Sequence, residues 1–264
     1  MKLVCIVKFV PDVDSFQYDY EKNVLKRENV RLLLNPDDVC AVAFALSVKA
    51  ANPATTIEVV TMGPTSVKPH MSDLLRLGVD KGTILSDPHF AGSDTYVTSK
   101  VLARYLQSLN FDCLLSGTHA IDGDTSHIPA QIGQCLGLNQ LSGIVKIDKD
   151  SFTEVSALVD VETEWAVTTY EMTLPAILSV TRETKYKLPY PKRAALAMDV
   201  SDRLNIVTNE QLKFTPMEVG LKGSPTKVVK TYTKEFESKG STVVQADDSG
   251  VNTVYNFLKD NGYL

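Results

Sequence analysis

The side chains best suited to chemistry are gathered in one short run, IDGDTSHIPAQIG at 121–133. It follows an apolar stretch, FDCLLSGTHA at 111–120, that reads as a buried strand. Gly123 is expected to let the chain turn tightly, and Asp124, Thr125 and Ser126 to cap the helix that follows. The first N–H groups of such a helix have no partner inside it. At the carboxyl end of a parallel strand they hold nucleotide phosphates. The chemistry indicated is therefore nucleotide binding. A capped loop without any ligand is the plainer reading of the same residues.

Two more helix starts carry polar residues of the same kind. In Asn35-Pro36-Asp37-Asp38, Asn35 is expected to cap, Pro36 suits the first helical position, and both carboxylates face the positive end of the helix dipole. Asp37 and Asp38 are dipole partners in one reading; in the other they repel a phosphate or bond a ribose. In AGSDTYVTS (91–99), Ser93 or Asp94 caps, and the hydroxyls of Thr95 and Thr98 fall in the first turn, structural or within reach of an anion. The Gly63-Pro64 turn lies between these starts. Catalysis by side chains has no support. The chain lacks G-x-G-x-x-G, G-x-x-x-x-G-K-[ST] and G-x-S-x-G, so a bound cofactor must carry any reaction.

The elements that position these residues follow from hydrophobic periodicity. Buried strands are expected at 1–10, 56–62, 82–85 and 111–117, alternating with helices from 35 to about 50, from 65 to 77 before Gly78, from 94, and from 124. In the first helix Val39, Val42, Ala43, Leu46 and Ala50 should face inward. This β–α alternation implies an α/β fold, a doubly wound parallel sheet with right-handed crossovers. Its helix starts then converge on one edge, as a crevice lined by N–H donors and short polar side chains. Residues 13–34 read as a polar excursion, a hairpin. After Leu141 three strand-like runs, about 151–161, 164–172 and 175–181, should add hairpins to the sheet. TRETKYKLPYPKR (181–193) reads either as a solvated loop or as a docking segment, since Tyr186, Leu188 and Tyr190 would otherwise be exposed apolar surface. The expected organisation is a nucleotide-binding domain, 1–210, with its hairpin insertion at about 141–181, and an extended arm, 211–264. The arm has few core-forming patterns before a short closing helix at 250–258.

Composition narrows the function classes. The chain has 264 residues, a net charge of −5 and no basic stripe, which argues against nucleic acid. No apolar run is as long as a membrane span, and the start reads as a strand rather than a signal peptide. Cys5, Cys40, Cys113 and Cys135 sit in apolar patterns, as expected of buried reduced thiols in a cytoplasmic protein. Neither these nor the four histidines have metal-ligand spacing.

Seven runs, in order, resemble the β subunit of electron-transferring flavoproteins: VKFVPD (7–12), NPDD (35–38), VVTMGP (59–64), AGSDTYVTS (91–99), AIDGDTS (120–126), LPAILSV (174–180) and GSPTKVV (223–229). The resemblance implies the adenine-nucleotide α-hydrolase-like version of the doubly wound sheet and an obligate α-subunit partner that holds FAD. It also implies that the crevice is formed by Ile6, Val7, Lys8 and Phe9 after the first strand and by Asn35, Asp37 and Asp38. Thr61, Met62, Gly63 and Pro64 would join them, with Asp94, Thr95 and Thr98. The last contribution would be Asp122, Gly123, Asp124, Thr125, Ser126, His127 and Ile128. Simple carriers in that family hold AMP here; electron-bifurcating members hold a second FAD that takes hydride from NADH. The D-G-D-T run, Val10-Pro11-Asp12 and Ser93-Asp94-Thr95-x-x-Thr98 look like the bifurcating type, although Phe9 and His127 stand where that type commonly has Gln. His127 would bond a flavin edge or cap a helix. The function so implied passes one electron to ferredoxin or flavodoxin and the other, through the α-subunit FAD, to a flavin dehydrogenase of acyl-CoA or lactate type. The rival readings are a simple carrier with AMP and, in another class, a stand-alone nucleotide-binding signalling module.

Overall fold

The computed structural model describes residues 1–12, 17–19, 24–26, 31–227 and 241–264. In chain order its strands are β1 (Lys2–Ile6), β2 (Phe9–Pro11), β3 (Gln17–Asp19), β4 (Val24–Lys26), β5 (Leu32–Leu34), β6 (Thr56–Met62), β7 (Lys81–Leu85), β8 (Cys113–Gly117), β9 (Asn139–Ile147), β10 (Ser156–Glu162), β11 (Val167–Thr173), β12 (Ala176–Val180) and β13 (Leu204–Val207). The main helices are α1 (Pro36–Ala51), α2 (Lys68–Arg76), α3 (Thr95–Leu106) and α4 (Ile128–Leu136).

Nine strands form one sheet in the order β11-β10-β9-β12-β8-β1-β6-β7-β13. From β9 to β13 every neighbouring pair is parallel, and only β9–β10 and β10–β11 are antiparallel. Alternate residues along each strand point to opposite faces, and two apolar cores result. Leu3 and Cys5 of β1 and Ile57 and Val59 of β6 meet α1 and α2 on one face. Val4, Ile6 and Val60 meet α3 and α4 on the other. The doubly wound α/β architecture expected from the alternation is therefore the one observed. Burial on both faces accounts for the near-continuous apolar runs of the central strands.

The strand order places a switch point. The chain steps from β1 to β6 and β7 in one direction, then returns to lay β8 on the other side of β1. The crossovers on either side of that point diverge, which opens a crevice outside the carboxyl ends of β1 and β8.

Three expectations need correction here. The run at 175–181 is no hairpin strand: β12 is buried along its whole length and lies parallel between β8 and β9. β9 and β13 carry weak signals and were not anticipated; β9 begins with exposed Asn139 and Gln140 and has a register irregularity near Gly143. Helix α1 is buried almost all round between Cys40 and Leu46, while Val39 is half-buried and Ala50 exposed. Its outer side is covered by Phe152 and Tyr186, whose rings lie 5.1 and 5.5 Å from that of Phe44.

That contact also revises the docking segment. The Tyr186 hydroxyl accepts from the Ile147 N–H at 3.0 Å and donates to its carbonyl at 3.2 Å, and Leu188 packs on the core. Of the three apolar side chains only Tyr190 stays exposed, with Leu196 and Met198 following it. Cys5, Cys40 and Cys113 are buried as expected; Cys135 is exposed.

Within the excursion at 13–34, β3 pairs antiparallel with β4, and β5 at its end pairs antiparallel with β2, which precedes it. The remainder of that excursion, like 228–240 of the expected arm, lies outside the described residues. The chain divides into two compact units, Met1–Lys227 and Val228–Leu264. Residues 211–227 belong with the first: Leu212, Phe214 and Val219 are buried in the core beside α3. In the second, Asp247 caps the helix Asp248–Asp260 by accepting from the Gly250 N–H at 2.8 Å. Among the described residues no helix is long and apolar enough to cross a membrane.

Candidate functional site

The crevice at the switch point is a cavity of about 740 Å³. Four groups of the expected residues line it: Ile6, Val7 and Lys8 at the end of β1; Met62, Gly63 and Pro64 after β6; Asp94, Thr95 and Thr98 at the start of α3; and Gly123 to Ile128 before α4. Asn35 and Asp38 complete the wall under α1. The remaining expected residues lie elsewhere. Asp37 is buried behind the wall, Thr61 is buried within β6, and the ring of Phe9 packs 5.4 Å from that of His70. Asp122 ion-pairs with the Lys8 ammonium at 2.7 Å.

The start of α1 joins the loops of the crevice together. Asn35 does not cap the helix; its amide donates to the His119 carbonyl at 2.8 Å and accepts from the Ile121 N–H at 3.2 Å. Asp38 accepts from the Lys8 N–H at 2.8 Å and the Gly117 N–H at 2.7 Å, tying β1 to β8. Asp37 accepts from the Arg182 N–H at 3.0 Å, after β12, and from the His119 N–H at 3.3 Å. It also holds the His119 ring through Nδ1 at 2.8 Å. These carboxylates satisfy loop N–H groups first, whatever they add to the dipole.

Burial pushes the Asp38 carboxyl up to about 7, against the N–H groups of Lys8 and Gly117 and the Asn35 amide, which favour its charge. The folded chain therefore binds a proton that the unfolded chain releases near the ordinary carboxylate value. Stability from this group is full at about pH 4 and is lost as pH rises through about 7. We expect wild type to lose up to about 4 kcal/mol across that window relative to Asp38→Asn, at 1.36 kcal/mol per pKa unit. Urea unfolding at pH 5, 6 and 7.5 measures it, and parallel profiles for the two proteins would contradict it.

At α3, Asp94 caps by accepting from the Val97 N–H at 3.0 Å. Its second oxygen accepts from the Thr226 N–H at 3.0 Å and hydroxyl at 2.7 Å, while its own N–H donates to Ser224 Oγ at 2.9 Å. Burial alone would raise the Asp94 carboxyl, but the donors from Val97 and Thr226 hold it below the usual range. Thr226 thereby becomes part of the lining. It lies in the GSPTKVV run, where only its distance in sequence hid the connection.

The loop before α4 departs from expectation. Asp124, Thr125 and Ser126 do not cap; α4 begins after His127 without any side-chain cap bond. Pro129 at its second position has no N–H, so the first-turn donors without an intrahelical partner are the Ile128 and Ala130 N–H groups. The tight backbone is not at Gly123 but at Asp124 and Ser126, with φ of 47° and 54°. Short polar side chains tolerate that left-handed region better than most. A Cβ at Gly63 or Gly123 would meet nothing within 4 Å, so both lie beside open space. The lining also includes Ser116, Gly117, Thr118 and His119, which lie in the apolar run 111–120 that reads as strand. Among the described residues no cluster of His, Cys, Asp and Glu could hold a metal ion.

Residues 22–201 match the electron transfer flavoprotein domain. The chain is 30% identical over 267 residues to the electron transfer flavoprotein subunit beta of Clostridium acetobutylicum, covering 100% of both chains. It is 32% identical over 243 residues to that of Thermoanaerobacterium thermosaccharolyticum, covering 91% of each. It is also 30% identical over 247 residues to the caffeyl-CoA reductase-Etf complex subunit CarD of Acetobacterium woodii, covering 92% of each. A nucleotide-sized crevice at the switch point of a doubly wound sheet, with kinship along the whole chain, leads to one conclusion: this chain belongs to the electron transfer flavoprotein family, as a β subunit.

Proposed function

We propose that this β subunit is of the electron-bifurcating type and that its crevice holds FAD. Bound there, FAD supplies hydride acceptance from NADH and division of the electrons between ferredoxin or flavodoxin and, by way of the α-subunit FAD, a flavin dehydrogenase. The observation that carries the reading is the cavity of about 740 Å³. That lies in the upper part of the range of roughly 300–1,000 Å³ for ligand sites and leaves room for a dinucleotide. The donor set suits it as well. The first turn of α4 is free for a phosphate, Thr95 and Thr98 offer hydroxyls, and Lys8, paired with Asp122, adds a cation at the mouth. Gly63 and Gly123 let the ligand approach the backbone closely.

The chain's residues bind and orient; none is asked to transfer a proton. The name of the Acetobacterium relative favours an acyl-CoA-type dehydrogenase as the final partner. The exposed Trp165 and Val167 of the β10–β11 hairpin, and the Tyr190, Leu196 and Met198 segment, offer apolar surface to partners. The second unit, Val228–Leu264, is the arm that meets the α subunit, and the complex works in the cytoplasm. Nucleotide extraction from the purified α–β pair tests the reading: two FAD per pair are expected, and one FAD with one AMP rejects it.

A further inference from the structure

β11 closes the nine-strand order, so one of its edges has no neighbour among the described residues. Every residue of β11 except Met172 is exposed. Natural sheet edges are blunted by Lys, Pro or a bulge, which stop another chain from pairing there. β11 has no Lys or Pro, and its pairing with β10 runs unbroken from Ser156 opposite Thr173 to Glu162 opposite Val167. Its valine, threonines and tyrosine hold a strand extended. The pairing of β10 with β9 covers only Val159 to Val161, so beyond it the hairpin is a two-stranded ribbon. At its tip stands Trp165, the chain's single tryptophan, 86% exposed. The tip is ordered: the Thr163 N–H donates to the Ala166 carbonyl at 2.8 Å, and the Ala166 N–H returns a bond to the Thr163 hydroxyl at 3.3 Å.

The register sorts the two faces of the ribbon, because residues opposite each other point the same way. Ala157 and Val159 face the core. Asp160, Glu162 and Glu171 share the other face with Leu158, Val167 and Thr169. Of these three acids only Asp160 has a cation among the described residues, the Lys146 ammonium at 3.7 Å. From Asp150 to Thr181 the chain has no Lys or Arg.

We propose that the β10–β11 hairpin is a docking element for the α subunit, whose matching face is basic and has an apolar pocket for the Trp165 indole. This rests on reading the chain as half of an α–β pair. Three features choose the occupant. A bare two-stranded ribbon is of marginal stability in water, so its cover is a permanent subunit rather than a dehydrogenase that comes and goes. Tryptophan is among the side chains that most often anchor an interface, seated in a pocket from which water is excluded. A second copy of this chain, meeting this face about a two-fold axis, would set acids against acids, whereas a basic face complements them.

Hydroxyl-radical footprinting of the purified α–β complex, read by mass spectrometry, tests the proposal. Trp165 is expected to be labelled about tenfold more slowly than Tyr190, which is 96% exposed and lies outside the hairpin, because an anchor is shut off from water. Trp165→Ala should speed the exchange of subunits between tagged and untagged complexes by about 30-fold, the weight of an aromatic anchor. Glu162→Lys combined with Glu171→Lys, both at exposed positions, should speed it about tenfold by turning attraction into repulsion. Full labelling of Trp165 in the complex, or wild-type exchange in Trp165→Ala, overturns the docking element while leaving the α–β pair intact. Labelling that falls only when a purified acyl-CoA dehydrogenase is added, or only as the complex is concentrated, assigns the hairpin to that enzyme or to a second copy and overturns it too. Unchanged or slower exchange in the lysine variant overturns the basic face. A chain that forms no complex with α overturns both readings.

Discussion

Gly117→Ala is expected to lower the unfolding free energy by about 3–6 kcal/mol and to empty the crevice of nucleotide. An added Cβ would lie 2.5 Å from Asp38 Oδ1, 2.6 Å from Asp37 Cβ and 2.9 Å from the Asp38 nitrogen. Asp37 Cβ and the Asp38 nitrogen cannot swing away, and Asp38 Oδ1 ends a short buried side chain whose other oxygen is held by the Lys8 N–H; all belong to the buried first turn of α1. Either α1 or the end of β8 must move. Overpacking of a tight core costs roughly 1–3 kcal/mol. Losing the Gly117 N–H bond to the Asp38 carboxylate adds roughly 1.5–3 kcal/mol. Against a total stability of about 5–15 kcal/mol the sum is severe. The movement displaces Lys8, Asn35 and His119 together, since the same turn bonds to all three. Urea unfolding of the α–β complex and nucleotide extraction measure the two effects. Wild-type stability with full nucleotide content would contradict the close packing described.

Glu58→Ala is expected to cost about 3 kcal/mol and to leave the nucleotide content of the folded protein unchanged. Glu58 is 3% exposed on β6. It accepts from the Tyr105 hydroxyl at 2.6 Å and the Thr83 hydroxyl at 2.8 Å, with the Lys81 ammonium at 3.2 Å. Burial would lower the Lys81 ammonium, but Glu58 outweighs it and holds it above its usual range. Removing one member of a buried pair costs about 3–5 kcal/mol. The low end applies because Lys81 is 39% exposed and can turn to water. Lys2 and Lys81 open their strands, so this network lies at the amino-terminal end of the sheet, away from the crevice. Loss of nucleotide from folded Glu58→Ala protein would show that the two ends are coupled; no loss identifies the network as purely structural.

The two variants differ because buried polar groups do two kinds of work here. Glu58 holds strands together, whereas Asp37 and Asp38 hold loops, and the loops are the site. Sequence patterns do not separate these cases. Glu58 lies within an otherwise apolar strand and shows no special signal. Asp37 and Asp38 carry the ordinary signature of acidic residues in a helix's first turn.

What the sequence alone determined is local. The alternation of strand and helix, a cap at Ser93 or Asp94, the Gly78 stop and the Pro36 start follow from periodicities and end signals that span only a few residues. The doubly wound fold follows from their order, because right-handed crossovers leave few alternatives. The matching runs pointed to the family for the same reason, each being short and contiguous. Only the tertiary structure decided which strand lies beside which. The sequence of β12 reads as a hairpin strand because an apolar run looks alike at an edge and in the middle of a sheet. It alone also decided what Asp37 and Asp38 bond: the partners Arg182 and Gly117 lie 145 and 79 residues away in sequence. A carboxylate's choice of donor depends on which N–H groups are buried beside it without another acceptor, and that is known only after the sheet has brought distant loops together.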